Sequence, residues 1–378
     1  MNISMDHSSN SRLYTTNPSQ IYFILLLLFA PFSSQSQQLQ PGFDKVEYSE
    51  LLKIAAHTTN DSNYYSNFPP TKAQLVYASK TIGLKNHWQL WIQKDNVAVI
   101  SIRGTTAESD SWLANLYAAM VPAKGQLSLK GNFEFQYNLS DHPQSAVHVG
   151  WLISTAFLSQ DIIPKIDSCY NQGIRDFIIT GHSQGGAISY LITSHLLSLQ
   201  ESNEIPGDIQ FKTYCSAAPK PGNLYYAYEF ENQTAGGWAF NIVNTADWVP
   251  EVPVSIQTLQ DFNTVNPFTN VATIIKQQKG FLSRVAMRHA FKKLYKPTAK
   301  AKKNYQKILG NFTSGRVKKV LPGFQPPKYF DSNHYVRTGN TIVLSPNEEY
   351  FKKFPNEKDK IFIHHDIKPY FHLITNQF

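Results

Sequence analysis

The chain contains 378 residues, of which 42% are hydrophobic, 13% aromatic and 16% charged. This composition excludes a disordered, collagen-like or coiled-coil protein, and the length suits one large domain or two smaller ones. The two cysteines, Cys169 and Cys215, are too few for a disulfide framework and too far apart for a zinc ribbon. The formal net charge is +8, but residues 262–330 carry 15 Lys and Arg and no Asp or Glu, which leaves the other residues with a net charge of −7. The basic character therefore belongs to one segment and does not indicate nucleic acid binding by the whole chain.

An apolar run near the N-terminus has the features of a secretory signal peptide. Residues 21–30 read IYFILLLLFA, a run much shorter than the roughly 20 residues needed to span a bilayer. It follows a polar stretch and precedes small side chains that suit a cleavage site. The sequence predicts a signal peptide at residues 1–36, cleavage near Gln37, and one mature domain at residues 37–378 that is secreted or periplasmic. Retention of the run as an anchor is the alternative.

The mature region alternates between strand and helix patterns. Some segments repeat apolar residues at helical spacing, and others are short β-branched runs bounded by turn residues. In chain order the patterns predict a helix at 46–58, a linker with Pro69 and Pro70, a hairpin of strands at 87–93 and 96–104, a helix at 148–170, a strand at 176–180, a helix at 187–199, and strands at 211–216 and 239–244. This alternation predicts an α/β fold with a mostly parallel central sheet and helices on both faces.

A candidate nucleophile lies between the strand at 176–180 and the helix at 187–199. The intervening residues 181–186 read GHSQGG and fit the pattern G-x-S-x-G. In this pattern the serine lies on a strained strand-to-helix turn, and the glycines on either side allow the backbones to approach closely. The turn also directs the amide of Gln184, at the helix N-terminus, toward a developing oxyanion. The placement between strand and helix favours Ser183 as a nucleophile over an ordinary glycine turn.

A nucleophilic serine needs a base and a carboxylate, which in a strand-turn-helix fold of this kind follow in the order Ser, Asp or Glu, His. Asp247 comes directly after the predicted strand at 239–244, in the stretch TADWVPEVP. Glu251 lies further from the strand end and is the rival carboxylate. The candidates for the base near the C-terminus are His364, His365 and His372.

Six motifs give the chain its likeness to a known family. They are RGTT (103–106), VHVGW (147–151), GHSQGG (181–186), SAAPKPGN (216–223), NTADWVP (244–250) and HDIKPYFH (365–372). Their order over residues 46–372 resembles that of the class 3, or fungal-lipase-like, lipase family. The resemblance implies an α/β-hydrolase fold and hydrolysis of carboxylic esters, usually acylglycerols or phospholipids.

The resemblance also implies a catalytic triad. It makes Ser183 the nucleophile, Asp247 the triad carboxylate and His365 the base. The family pattern H-x-x-x-x-Y-x-H is in register only when it is counted from His365. His364 breaks that register and stays the alternative base.

The oxyanion hole is implied by the same resemblance. The family's oxyanion residue follows the glycine of RGTT, which makes it Thr105, acting through its amide and its hydroxyl, together with the amide of Gln184. An ordinary strand-end turn is the alternative, and Thr106 is the neighbour most easily confused with Thr105. His182 is expected to have a packing or supporting role.

A candidate lid follows the RGTT motif. Residues 112–121 place apolar side chains at helical spacing where the resembling lipases have a mobile lid. A fixed helix that packs on the core is the alternative.

Residues 262–330, hereafter the basic insertion, make this region longer than in compact fungal lipases. Within it, cations at Arg284, Arg288, Lys292 and Lys296 follow one face of a predicted helix whose other face is apolar. Three interpretations are open, namely contact with an anionic membrane, a cap over the active site, or a solvated charged face over a core-packing stripe.

Motifs for metals and nucleotide cofactors are absent from the sequence. It contains no H-E-x-x-H, no EF-hand loop, no clustered Cys/His pattern and no G-x-G-x-x-G. The sequence therefore predicts a cofactor-independent serine ester hydrolase, a triacylglycerol lipase or related carboxylesterase, with a lipid or other ester as substrate and no nucleic acid partner. Phospholipase A1-type activity and a catalytically silent, lipase-like binding module are the alternatives.

Overall fold

The computed structural model describes residues 39–59, 61–376 and 378, so the predicted signal peptide at 1–36 lies outside the described part. The strands, in chain order, are β1 (Ala73–Ala78), β2 (Trp88–Gln93), β3 (Ala98–Ile102), β4 (Met120–Pro122), β5 (Lys124–Ser128), β6 (Glu134–Asn138), β7 (Ala146–His148), β8 (Asp176–His182), β9 (Gln210–Ser216), β10 (Gly222–Asn223), β11 (Ala239–Asn244), β12 (Tyr335–Val336) and β13 (Asn340–Leu344). The helices are α1 (Lys45–His57), α2 (Ser62–Tyr65), α3 (Ser109–Leu116), α4 (Val149–Asn171), α5 (Gln184–Glu201), α6 (Leu224–Gln233), α7 (Val271–Gln277), α8 (Phe281–Tyr305), α9 (Thr313–Val320), α10 (Glu348–Lys353) and α11 (Ile367–Asn376). Short 3-10 turns lie at Lys130–Asn132, Val249–Glu251 and Leu259–Asp261, and a π-helical segment at Gln306–Phe312.

Seven strands form the central sheet in the order β1-β2-β3-β8-β9-β11-β13. β1, β2 and β3 pair antiparallel, whereas β3, β8, β9, β11 and β13 run parallel. A four-stranded sheet, β12-β10-β7-β4, and the pair β5-β6 are separate from it. The predicted α/β fold with a mixed, mostly parallel sheet is confirmed.

Burial on both faces explains why the central strands are continuous apolar runs. In β8, Phe177 and Ile179 lie in the core cluster formed with α4 and α5, whereas Ile178 lies in the cluster formed with α1 and α11. Successive side chains of a strand point to opposite faces, so a strand covered on both sides needs apolar residues throughout. The two helical layers hold the ends of the parallel strands in fixed positions.

The predicted elements correspond to observed ones, with two additions at the edges of the sheet. The predicted helix at 46–58 is α1, which begins where the Asp44 carboxylate accepts hydrogen bonds from the amides of Val46 and Glu47, at 2.7 and 3.1 Å. The edge strands β1 and β13 were not predicted. Their side chains are mostly exposed or half-buried, so neither has the apolar run of a central strand.

The prediction of one helical stretch across residues 112–121 is wrong in its second half. The helix α3 ends at Leu116, and Met120 and Val121 belong to β4, which pairs antiparallel with β7. Both side chains are buried. Sheet pairing with a distant segment therefore overrides the helical spacing of these residues.

The basic insertion folds mainly as helices. The predicted amphipathic helix is confirmed as part of α8, which has 25 residues. Its apolar side chains do not pack on a core, however, because Leu282 is 81% exposed and Leu294 is 75% exposed. The interpretation of this face as a core-packing stripe is therefore wrong. Across the described residues, no helix is both long and apolar enough to cross a bilayer.

Candidate active site

Ser183 occupies the turn that connects β8 to α5. Its backbone angles are φ 62° and ψ −129°, a conformation that is strained for a residue with a side chain. The turn is held by a hydrogen bond of 2.9 Å from the amide of Ser183 to the carbonyl of Ser216 in the neighbouring strand β9. This turn places the serine side chain at the carboxyl edge of the sheet.

Two glycines make this turn sterically feasible. A Cβ on Gly181 would lie closer than 3.0 Å to the backbone of Gly185, and a Cβ on Gly185 would lie closer than 3.0 Å to the carbonyl oxygen of Ile102. Backbone atoms cannot move aside as a flexible side chain can. The spacing G-x-S-x-G therefore follows from the packing of α5 against β8 and β3.

Asp247 and His365 form a buried pair beyond the end of β11. The Nδ1 atom of His365 lies 2.7 Å from Oδ2 of Asp247, and both side chains are buried. The other carboxylate oxygen, Oδ1, accepts a hydrogen bond of 2.9 Å from the amide of Val249. A carboxylate can only accept, so Nδ1 of His365 donates, and in the neutral imidazole the lone pair is on Nε2. This is the tautomer that a general base needs.

Tyr370 also binds the carboxylate of Asp247. Its hydroxyl lies 2.8 Å from Oδ2 and accepts a hydrogen bond of 3.1 Å from the amide of Asn244. Tyr370 is fully buried, and burial together with the Asp247 charge raises its pKa well above the usual value. The tyrosine appears in the sequence motif, but only the structure shows that its hydroxyl contacts the carboxylate.

The rival candidates have other environments. His364 has its Nδ1 atom 2.8 Å from the hydroxyl of Tyr350 and its Nε2 atom 2.8 Å from Oδ1 of Asn356. Burial lowers the pKa of His364. His372 lies on α11 with its Nδ1 atom 3.1 Å from Nδ2 of Asn376. Of the three C-terminal histidines, His365 lines the cavity that also contains Ser183.

His182 connects the nucleophile turn to the His365 loop. Its Nε2 atom lies 2.6 Å from the carbonyl oxygen of His365, and its Nδ1 atom lies 2.9 Å from the hydroxyl of Ser216. The Ser216 hydroxyl is in turn 2.6 Å from the hydroxyl of Tyr48. Burial, reinforced by the neighbouring His365, lowers the pKa of His182 to about 4, so this histidine is neutral at pH 7. The supporting role expected for His182 is consistent with these contacts, but the contributions of Ser216 and Tyr48 were missed.

Thr105 and Gln184 lie next to each other at the site. The hydroxyl of Thr105 donates to Oε1 of Gln184 at 3.3 Å and accepts from Nδ2 of Asn115 at 2.8 Å. Among the described residues, the amide of Thr105 has no hydrogen-bond partner, whereas the amide of Thr106 donates to the Ser111 hydroxyl at 3.0 Å. The amide of Gln184, the first residue of α5, has no acceptor within the helix. Two amides are therefore available to an oxyanion.

A cavity of about 850 Å³ contains Ser183, His365, Thr105 and Gln184 in its lining. Apolar side chains form much of the remaining wall, including Trp112, Leu116, Trp248, Val254, Leu309 and Phe362. In the described part of the chain the Ser183 hydroxyl makes no hydrogen bond, and catalytic hydrogen bonds are often long before substrate binds. The arrangement can hold an apolar ester beside an accessible serine, the His365 imidazole and two free amides.

The basic insertion contributes to this cavity. Tyr305, at the C-terminal end of α8, and Leu309, in the π-helical segment, both line it. The carbonyl of Leu309 accepts a hydrogen bond of 3.3 Å from the amide of Ala119, which attaches the segment to the region between α3 and β4. The interpretation of the insertion as a partial cap therefore has structural support. Within the described residues, no group of three His, Cys, Asp or Glu side chains could hold a metal ion.

Residues 99–257 match the family model described as Lipase (class 3). This region of the chain is therefore similar to the class 3 lipase family. The match includes Thr105, Ser183, Gln184 and Asp247 but ends more than 100 residues before His365.

Individual lipases are more distantly similar to this chain. The secreted mono- and diacylglycerol lipase 1 of Fusarium solani is 25% identical over 171 residues, 43% of this chain and 48% of the relative. The chain thus matches about half the length of that protein. The lipase of Rhizopus microsporus var. chinensis is 20% identical over 56% of this chain and 69% of its own, with a TM-score of 0.40. The triacylglyceride lipase of Rhizomucor miehei is 17% identical over 57% of this chain and 77% of its own, with a TM-score of 0.42.

Proposed function

We propose that this protein is a serine ester hydrolase of the class 3 lipase type that acts on lipid esters through Ser183, Asp247 and His365. The observation that carries the proposal is the 2.7 Å pair of His365 and Asp247 at the same cavity as a serine on a strained strand-to-helix turn. The match of residues 99–257 to the class 3 lipase model supports a lipase-like ester hydrolase. A silent binding module would have no need for a strained serine together with a histidine held by a buried carboxylate.

The reaction follows from the protonation states of these groups. His365 Nε2 removes the proton of the Ser183 hydroxyl, which attacks the ester carbonyl and forms a tetrahedral intermediate. Asp247 stabilises the resulting imidazolium, and the amides of Thr105 and Gln184 stabilise the oxyanion. The imidazolium then protonates the leaving alcohol, and a water activated by His365 hydrolyses the acyl-enzyme.

We propose an acylglycerol or a related carboxylic ester as the substrate. The apolar wall of the cavity fits an acyl chain, and its mouth exposes aromatic side chains, with Trp112 on α3 and Phe362 before α11 in tilted ring contact. The Fusarium solani relative is named for mono- and diacylglycerols. We further propose that α3 is the lid, because Trp112 and Leu116 both line the cavity and are exposed.

Two measurements test the proposed function. A fluorophosphonate probe should label the purified protein at Ser183 and should not label the Ser183→Ala variant. Ser109→Ala, an exposed serine on α3, is the matched control and should be labelled like the parent protein. Hydrolysis of short and long p-nitrophenyl esters, a triacylglycerol emulsion and a phospholipid then ranks the substrate classes. A folded protein that is neither labelled nor active on any of these esters is a binding module.

We propose that the protein is secreted after cleavage near Gln37, on the evidence of the apolar run and of the relative that is named as secreted. N-terminal sequencing of protein collected outside the expressing cell tests this proposal. An intact N-terminus on cell-bound protein would contradict it.

A further inference from the structure

The N-terminal part of α8 carries a set of unpaired cations. We call residues 281–300 the arm helix. Its cations are Arg284, Arg288, Lys292, Lys293, Lys296 and Lys300. In the part of the chain that the structure describes, none of them forms an ion pair or a side-chain hydrogen bond, whereas Lys302, just beyond, is buried and bonds Asp331 at 2.9 Å and Gln260 at 2.6 Å. No acidic residue occurs anywhere in the basic insertion to neutralise this charge.

The arm helix also exposes large apolar side chains. Phe281 is 70% exposed, Leu282 81% and Leu294 75%. At 3.6 residues per turn, Met287 and Leu294 lie together on one side of the helix, and the cations from Arg288 to Lys296 lie on the other. Phe281 and Leu282, at the N-terminal end, lie on the side of the cations. Isolated exposed apolar residues are common, but several on one cationic helix indicate a contact surface.

The arm helix is joined directly to the active-site cavity. Lys302 and its two partners attach its C-terminal end to the domain, and Tyr305 in the next turn lines the cavity. Helical rise gives about 35 Å from Tyr305 to Leu282. The arm helix is therefore continuous with a segment that lines the cavity.

We propose that the arm helix binds the surface of an anionic phospholipid bilayer, with its cations on the headgroups and its exposed apolar side chains at the acyl boundary. Each cation near such a surface contributes about 1 kcal/mol, and the apolar side chains leave water at the same time. Nucleic acid would satisfy the cations but offers no apolar medium for Leu282 and Leu294. The inference goes beyond the proposed function and does not depend on hydrolysis.

Vesicle flotation with the full chain tests the proposal. Every protein carries Ser183→Ala, so that the vesicles are not hydrolysed, and the probes are phosphatidylcholine vesicles with and without phosphatidylserine. At low salt, the parent should bind the phosphatidylserine vesicles and bind the pure phosphatidylcholine vesicles much more weakly. Added salt should weaken the binding by screening.

Two variants and a control locate the binding surface. Neutralisation of Arg288, Lys292, Lys293 and Lys296 to Gln should lower binding by on the order of 100-fold or more. Leu282→Ser with Leu294→Ser should lower it by about 10-fold without changing the charge. The matched control neutralises four exposed, unpaired lysines outside the insertion, Lys80, Lys94, Lys130 and Lys358, and should bind like the parent.

Several results would overturn the proposal. Equal binding by the arm variant and the lysine control would mean that overall charge, not the arm helix, attracts the vesicles. Equal binding to both kinds of vesicle would exclude anionic lipid as the partner. A concentration-dependent dimer that the Leu282 and Leu294 substitutions dissolve would show that a second copy covers the exposed apolar side chains. Circular dichroism of each variant verifies that the fold is intact.

Discussion

The region at 99–257 that matches the family model, hereafter the family-matching region, and the basic insertion at 262–330 differ in how tightly their groups are packed and paired. Near Ser183 the backbones are so close that glycine is required, and the polar side chains that support the site are paired. On the arm helix the cations form no ion pair with any residue that the structure describes, and large apolar side chains such as Leu282 and Leu294 are exposed. Chemistry needs groups fixed in position by burial, whereas a contact surface needs groups left free for a partner.

Removal of the candidate triad should have the largest effect. Ser183→Ala and His365→Ala should each lower ester hydrolysis by on the order of 10⁶-fold, and Asp247→Asn by on the order of 10⁴-fold. The folded structure should persist, because these side chains act on the substrate or on one another. Steady-state kinetics with a soluble short-chain ester and a thermal unfolding scan measure the two properties.

His364→Ala is the control for the base. His364 bonds Tyr350 and Asn356, so its loss should lower the free energy of unfolding while the enzyme keeps most of its activity. Full activity in His365→Ala, with loss in His364→Ala, would show that the motif register is wrong.

Glycine substitutions compare backbone packing in the two regions. Gly185→Ala should lower the free energy of unfolding by about 3 kcal/mol or more, because the new Cβ would meet the Ile102 carbonyl. A Cβ added at Gly315, in α9 of the insertion, would meet nothing within 4 Å. Gly315→Ala should therefore raise the free energy of unfolding by up to about 1 kcal/mol. Chemical denaturation of both variants gives the two values. If both are destabilised to the same degree, the proposed difference in packing is absent.

Thr105→Ala tests the hydroxyl at the candidate oxyanion hole, since the amide cannot be removed by substitution. A hydroxyl that donates to the oxyanion should make kcat fall by about 10²-fold with little change in KM. Thr106→Ala, whose hydroxyl accepts from the amide of Glu108 at 3.3 Å, is the neighbouring control and should change kcat less. An unchanged kcat in Thr105→Ala would assign the stabilisation to the amides alone.

Buried histidines should make the family-matching region sensitive to acid. Burial lowers the pKa of His148 to about 3, so below about pH 6.5 the unfolded chain binds a proton that the folded protein does not. Its contribution to stability is complete above about pH 6.5 and is lost as the pH falls toward about 3. The pH dependence contributed by this one group is about 1.4 kcal/mol per pH unit.

His148→Asn isolates this contribution. The side-chain oxygen of asparagine can replace the Nδ1 atom that accepts a hydrogen bond from the Trp151 amide at the start of α4. The slope of the unfolding free energy between about pH 6 and 4 should become shallower by about 1.4 kcal/mol per unit. The same slope in parent and His148→Asn would mean that His148 takes up its proton in the folded protein.

Local sequence determined the elements whose signal is contained in neighbouring residues. The apolar run of β8 follows from burial on both faces, and the glycines around Ser183 follow from the tightness of one turn. The order of Ser183, Asp247 and a C-terminal histidine could likewise be read along the chain. These features were predicted because a strand, a turn and a helix each have a short-range pattern.

Tertiary structure alone decided which distant groups meet. Tyr370 reaches Asp247 across 123 residues, and Tyr48 reaches Ser216 across 168. β4 is a strand despite its helical spacing because β7 is available to pair with it. The arm helix has the amphipathic pattern of a core helix, yet nothing in the described structure covers its apolar side. A sequence pattern records which side chains could be buried together, but the partner that buries them is set by the packing of elements far apart in the chain.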